Sequence, residues 1–291
     1  MATHWYSGDL QNHEDYSVPI EEHCEICKRA GYDFICLQYK DMQDFSLIRD
    51  AAELTTEDFL VIPGAEQAFQ SRAGRWAHFG FMPFPIPMPD TITDEFNIPQ
   101  GIAEAERRHP GCIKTIHHPA DERWELGDIQ DAYAGGARFI ELNPEGTPLQ
   151  WAVDLWDRSL TAGLRLYANL STDAHGHGTI RRRGYVLVRA EALNQEAIFA
   201  GLTSGDYLAV EEGCVCEVIE LVRPEWAPGA VYRVSGDQIA SIRFIGKGGR
   251  VLSHGGGSEG EYILQGDEQY VRVEIFGRAG MRAFSQPIFE S

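Results

Sequence analysis

The sequence predicts an α/β protein, with repeated strand-then-helix units over residues 1–211 and a small antiparallel β module over 212–291. Three observations carry this. Short apolar runs alternate with amphipathic segments up to about residue 210, and beyond 212 the apolar pattern switches to period two. His, Asp and Glu also recur at or just past the ends of successive predicted strands.

The first strand falls over 5–10. Ser17 as cap and Pro19 in the first turn open a helix that runs to Gly31, a residue type that stops helices. Phe34-Ile35-Cys36-Leu37 reads as a buried strand. A helix over 47–54 then precedes a third strand, Phe59-Leu60-Val61-Ile62, which ends in Pro63-Gly64-Ala65-Glu66. His78-Phe79-Gly80-Phe81-Met82 gives a fourth strand, followed by a proline-rich connection over 83–89 and a helix over 100–108. Strands over 112–116 and 138–142, a helix over 151–160, strands over 164–168 and 185–188, and a helix over 191–202 complete the series. This rhythm argues for a mainly parallel sheet with covering helices, closed or open. Further on, Val231-Tyr232-Arg233-Val234, the run over 239–244 and Tyr270-Val271-Arg272-Val273-Glu274-Ile275 alternate as half-buried antiparallel strands do. Gly255-Gly256-Gly257-Ser258 lacks the strand-to-helix setting of a phosphate loop and reads as a hairpin tip.

With 43% apolar and 24% charged residues, the chain is expected to fold rather than stay disordered. A net charge of -19 argues against a nucleic-acid or anionic-membrane partner, so an anionic substrate has to be met by a local basic cluster. Neither an export signal nor an apolar run of membrane-spanning length is visible, which predicts a soluble, cytoplasmic protein. Cys24-Glu25-Ile26-Cys27 has no second pair at matching spacing, since Cys214-Val215-Cys216 is too close, so the six cysteines are expected to be reduced thiols.

The chemistry is expected at the strand ends. Asp9 and His13 follow the first strand, Glu66 the third and His118 the fifth; Glu141 lies in the sixth, and Asp173 and His175 follow the seventh. In a barrel these ends converge on one rim. Imidazole nitrogens and carboxylate oxygens gathered there suit a divalent cation. Any one of these residues serves equally well as a cap or turn former, but capping does not call for histidine, so the recurrence is the signal. Arg181-Arg182-Arg183 come shortly after His175. Their forks suit phosphate or carboxylate oxygens, or alternatively pair with surface acids.

The order Gly8-Asp9-Leu10-Gln11-Asn12-His13, Ala30-Gly31-Tyr32-Asp33-Phe34, Ile62-Pro63-Gly64-Ala65-Glu66, His118-Pro119, Phe139-Ile140-Glu141-Leu142-Asn143 and Ser171-Thr172-Asp173-Ala174-His175 resembles the polymerase and histidinol phosphatase (PHP) family over residues 5–210. The closing strand over 270–275 and Ser285-Gln286-Pro287-Ile288 resemble the β extension of a bacterial stand-alone branch. The resemblance implies a distorted (β/α)7 TIM-like barrel that binds up to three divalent metals and hydrolyses phosphate esters. As metal ligands it implies His13, Glu66 in a bridging role, His78, His118, Asp173 and His175.

Two departures stand out. Gln11 replaces the first histidine of the family's His-x-His motif, and Gln38-Tyr39-Lys40 replaces Thr-Asp-His. A further ligand expected just beyond His13 has no clear counterpart, although Glu14 and Asp15 lie nearby. An ammonium offers no lone pair and repels a cation, so one metal position is expected to be lost. That leaves one or two ions of Zn, Mn or Fe. The resulting expectation is a metal-dependent phosphoesterase acting on a small anionic metabolite. Asp173, His175 and Lys40 would be catalytic and Arg181, Arg182 and Arg183 would bind substrate, with homo-oligomerisation left open. The alternatives are a catalytically silent member of the fold that binds a metabolite or partner, and a metal-dependent hydrolase or lyase acting on a non-phosphate bond.

Overall fold

The computed structural model describes residues 3–13, 18–40, 51–84, 96–142, 148–175, 184–211, 219–278, 280 and 282–290. Strand β1 (His4–Asn12) leads to helix α1 (Ile20–Arg29), which opens at Pro19, where a missing N–H costs nothing. The expected cap, Ser17, lies outside the described residues. Acidic Glu21 and Glu22 sit in the first turn and basic Lys28 and Arg29 in the last, each favourable to the helix dipole. The inner face of α1 buries Ile20, Cys24 and Cys27, and these two cysteines are free thiols.

Strand β2 (Phe34–Lys40) runs parallel to β1 and to β3 (Leu60–Gln70). Of the helix expected over 47–54, only a 3-10 turn, Ala51–Leu54, falls within the described residues. Strand β4 (Trp76–Met82) doubles back on β3. Helix α2 (Ile98–Arg108) starts on a capping box in which Asn97 and Gln100 bond each other's backbone N–H. Strand β5 (Ile113–Ile116), helix α3 (Leu126–Ala134), strand β6 (Phe139–Glu141), helix α4 (Leu149–Thr161) and strand β7 (Tyr167–Asn169) follow. Helix α3 was not foreseen; Glu125 N donates to Asp128 Oδ2 (3.0 Å) at its start, and an acid three residues after Glu125 was its sequence signal. Then come β8 (Gly184–Ala190), α5 (Gln195–Ser204) and β9 (Tyr207–Glu211). Eight C-terminal strands complete the chain: β10 (Glu220–Val222), β11 (Val231–Ser235), β12 (Ile239–Gly246), β13 (Arg250–Gly256), β14 (Glu259–Ile263), β15 (Tyr270–Gly277), β16 (Arg282–Ser285) and β17 (Ile288–Phe289).

These elements do not make the expected (β/α)7 TIM-like barrel. Five α-helices accompany seventeen strands among the described residues, too few to ring a barrel. The strands form a 14-stranded mixed sheet in the order β13-β12-β15-β16-β9-β8-β1-β2-β3-β4-β5-β6-β7, with β17 on β15, and a separate three-stranded sheet, β10-β11-β14. Among the named strands, parallel pairing is confined to β1–β2, β2–β3, β5–β6 and β6–β7. The physical reasons are local. Residues 71–75 link β3 to β4 through a turn closed by Ser71 N to Arg75 O (2.8 Å), with Gly74 at φ 69°, and so short a link permits only a hairpin. Strand β8 pairs antiparallel with both β1 and β9, and β9 pairs with β16, so the sheet runs on into the C-terminal strands.

One side chain covers the open end of that sheet. Gln286 accepts a bond from Ala168 N (2.7 Å) and donates to Ala168 O (2.8 Å), taking the place of a neighbouring strand beside β7. Because the site is buried, Gln286→Leu strands both backbone groups, at about 1–3 kcal/mol each. Urea unfolding is expected to show a loss of roughly 2–4 kcal/mol; a loss near zero would mean that water already serves this edge.

Helices α2, α3 and α4 pack over Phe69, Phe79, Phe81, Trp124 and Trp156 in one apolar cluster. A second cluster, with Leu10, Phe34, Cys36, Ile62, Met82 and Phe139, lies between β1, β2, β3 and their partners. Gly8 is part of its logic, since a Cβ there would overlap the Phe34 ring. Further along the same strands the buried residues change from apolar to polar, as Gln11, Gln38, Glu66 and His117. Among the described residues no helix is long and apolar enough to cross a membrane.

Candidate metal centre

The polar end of the strands gathers imidazoles and carboxylates. A parallel bridge between Asn12 and Ala174, with His13 N bonded to Ala174 O (3.0 Å), holds His13 beside Asp173 and His175. Buried His13 donates Nδ1–H to Gln38 O (2.8 Å), which leaves Nε2 as the lone-pair nitrogen. That nitrogen lies 3.1 Å from Asp173 Oδ1 and 3.5 Å from Glu66 Oε2. His175 is half exposed, stacks on His13 with ring centres 4.5 Å apart, and brings Nε2 to 3.2 Å from Asp173 Oδ1.

Glu66 lies inside β3 rather than past its end, opposite Lys40 on β2 and Gly80 on β4. Its Oε1 is 3.4 Å from His118 Nε2, and His118 Nε2 is in turn 3.9 Å from Asp173 Oδ2. Two donor groups result, each with ligand atoms within 4.8 Å of one another: His13, Asp173 and His175, and Glu66, His78 and His118. Glu66 reaches both, through Oε2 to His13 and Oε1 to His118.

The electrostatics keep the carboxylates charged. Burial alone would raise the Glu66 carboxyl, but hydrogen bonds with His117 and His118 and the nearby His13 hold it well below its usual range. Asp173 behaves the same way, since burial is outweighed by the imidazoles of His13 and His175 close beside it. His118 is opposed by burial yet raised to about 10 by its bond to Glu66 and by the carboxylates around it. His117 moves down, because burial outweighs its bond to Glu66.

A divalent cation fits this donor set. His13 Nε2 and Asp173 Oδ1 are buried and 3.1 Å apart, yet no hydrogen bond of good geometry joins them. Two buried polar atoms this close, neither with a hydrogen-bond partner, are what a bound cation would satisfy, with the other ring nitrogen of His13 anchored on Gln38 O as in ligand histidines.

The backbone supports the same reading. Four non-glycine residues among those described adopt positive φ: His118 (23°), Arg123 (55°), Asp173 (47°) and Gln269 (66°). Two of them are donors of the site. Such conformations persist only where surrounding bonds impose them, at about 1–3 kcal/mol each. Glu141 accepts the His118 N–H at 2.7 Å and bonds Ser171 Oγ, while Asp9 takes the N–H and Oγ of Thr172, next to Asp173. Burial pushes Glu141 well above the usual carboxyl range and raises Asp9 to about 6 against its hydrogen bonds. Both thus brace the ligand-bearing turns.

The structure brings together all six expected ligands: His13, Glu66, His78, His118, Asp173 and His175. Lys40 enters the register of β2 opposite Glu66, but its side chain lies outside the described residues, as do Arg181, Arg182 and Arg183 entirely. Gln11, at the departed histidine position, donates Nε2–H to Glu66 Oε1 (2.9 Å) and so takes up a lone pair that a bridging ligand would use.

Two partners were not foreseen. His117 puts Nδ1 at 3.3 Å from Glu66 Oε1. Neighbours in an extended strand point to opposite faces, so His117-His118 promised only one inward ring; the left-handed turn at His118, past the end of β5, aims both at Glu66. Glu122 pairs with His78 Nδ1, lies 3.6 Å from His118 Nδ1 and is held by Trp124 Nε1 (2.8 Å). Its only signal was a carboxylate four residues after His118. Because it orients two imidazoles at once, Glu122→Gln is expected to weaken metal affinity about 10–100-fold without unfolding the chain. Competitive titration with a chelating dye measures this, and an unchanged affinity would remove Glu122 from the site.

No known family profile matches the chain, and no curated protein matches it. Solved structures do. A crystal structure of a two-domain protein from Bacteroides vulgatus ATCC 8482, containing a predicted PHP-like metal-dependent phosphoesterase, matches 99% of this chain and 88% of its own at 16% identity, with a TM-score of 0.52. PsfC from Pseudomonas syringae PB-5123 matches over 69% of this chain and 88% of its own at 14% identity, with a TM-score of 0.50. At such identities the likeness is one of fold, and it supports a PHP-like fold for this chain.

Proposed function

We propose that this chain is a metal-dependent phosphoesterase acting on a small anionic metabolite, with one or two divalent cations. The observation that carries the proposal is Glu66, a buried and ionised carboxylate whose two oxygens face two separate sets of imidazole and carboxylate donors. The fold likeness to a protein containing a predicted PHP-like metal-dependent phosphoesterase supports the same reading.

In this reading His13, Asp173 and His175 hold one cation, His78 and His118 the other, and Glu66 both. A bound divalent cation supplies Lewis acidity and lowers the pKa of a coordinated water. Asp173 keeps its charge despite burial, and the ring nitrogen of half-exposed His175 that does not hold the cation would pass a proton to solvent. Lys40 and Arg181, Arg182 and Arg183 are assigned to the oxygens of the anionic substrate, supplying local positive charge in a chain of net charge -19.

One observation favours a second reading. The bond from Gln11 to Glu66 closes a ligand position, as it would in a chain that keeps the fold to bind a metabolite without turnover. Metal analysis of protein purified without chelator, alongside phosphate release from sugar and nucleotide phosphates, separates the two. The enzyme reading expects at least about one ion per chain and turnover abolished by His118→Ala. Metal without turnover on any phosphate ester favours the binding reading, and absence of metal ends the first.

A further inference from the structure

A second site lies apart from the metal centre. Helix α4 and strands β12, β15 and β16 enclose a cleft of about 650 Å³ that shares no residue with the two donor groups. Its size is that of a small-molecule pocket. Four guanidinium groups, from Arg158, Arg243, Arg272 and Arg282, face three carboxylates there, in a chain whose overall charge is strongly negative.

Two of the three carboxylates are already engaged in ion pairs. Arg272, 1% exposed, takes both oxygens of Asp157 (2.9 and 2.7 Å) and Glu274 Oε1 (3.0 Å). Asp154 accepts a bond from Gln150. Arg282 is left with a 3.3 Å share of Glu274 Oε1 and a bond to Gln150, and its buried Nε has no partner. Arg158 and Arg243 are exposed, and no carboxylate pairs with either among the described residues.

The cations are also crowded. Arg243 and Arg282 lie over the same ring, Phe276, at 4.7 and 5.7 Å from its centre. Ring contact fixes both forks but does not remove their mutual repulsion. An oxyanion between them would remove it.

We infer that this cleft binds a small oxyanion, a phosphate or a dicarboxylate, through Arg243, Arg282 and Arg158. Such a site is independent of turnover at the metal centre. The test is isothermal titration of the full chain in chelator, which silences the metal centre, with inorganic phosphate and with malonate as probes. Saturable binding of either anion is expected, the better binder identifying the class. Arg243→Glu should weaken it at least about tenfold, whereas Arg233→Glu, an equal charge change at the exposed Arg233–Glu261 pair on β11, should leave it within about twofold. Absence of saturable binding, or equal weakening by both substitutions, overturns the inference; the second result would reduce it to the general field of the protein.

Discussion

Glu66→Gln is expected to empty both cation positions together, with metal affinity falling more than about 100-fold, beyond the loss assigned to supporting residues such as Glu122. The argument is geometric. Oε2 faces the His13 group and Oε1 the His118 group, so a neutral amide loses charge and donor capacity at both. The same change destabilises the metal-free protein. Glu66 Oε1 lies within hydrogen-bonding reach of Gln11 (2.9 Å), His117 (3.3 Å) and His118 (3.4 Å), and an amide cannot serve all of them. Removing the charged partner of a buried pair costs about 3–5 kcal/mol, so urea unfolding of the metal-free variant should show a loss in that range. Loss of one ion with the other retained would show that Glu66 does not bridge.

The second large effect is a pH dependence that metal should reverse. In the metal-free protein His118 is raised to about 10, chiefly against burial, by Glu66 and the surrounding carboxylates. Its folded pKa exceeds its unfolded value of about 6.5, so protonation favours the folded state. That contribution is present in full below pH 6.5 or so and disappears as pH rises through about 10. Metal-free protein should therefore lose stability across this window, whereas cation binding requires the neutral imidazole. Titration of metal at pH 8 in two buffers of different ionisation enthalpy should report about one proton released per ion held by His118. The pH-dependent loss should also shrink in Glu66→Gln, whose His118 keeps only the more distant Asp173 carboxylate (3.9 Å) at Nε2. No proton release at pH 8 would mean that His118 is not a ligand.

How far the site was legible depends on which property of a residue is considered. The residues His13, Glu66, His118, Asp173 and His175 stood out because capping explains an acid but not the recurrence of histidine beside acids at successive strand ends. Glu122, His117 and the Gln11 bond did not, since their roles depend on where a left-handed turn points a ring and on which oxygen of Glu66 is taken. Asp9 and Glu141 were noted as strand-end acids, but their work is to brace Thr172 and His118. Gln38 is a similar case: it was noticed as a departure from a motif, and in the structure its Nε2 bonds Leu10 O (2.8 Å) while its own carbonyl fixes the His13 tautomer.

The sequence by itself marked eleven of the seventeen strands, most of the helices and most of the side chains gathered in the two candidate donor groups, because apolar periodicity and residue chemistry are local properties. Only the tertiary structure decided how those strands connect. A short link between β3 and β4 made a hairpin in a sheet expected to be mainly parallel, and the pairing of β9 with β16 carried the sheet into the C-terminal strands instead of closing a barrel of seven units. Strand direction and neighbour are settled by pairing energies between segments far apart in the chain, and periodicity is the same in a strand whichever partner it takes.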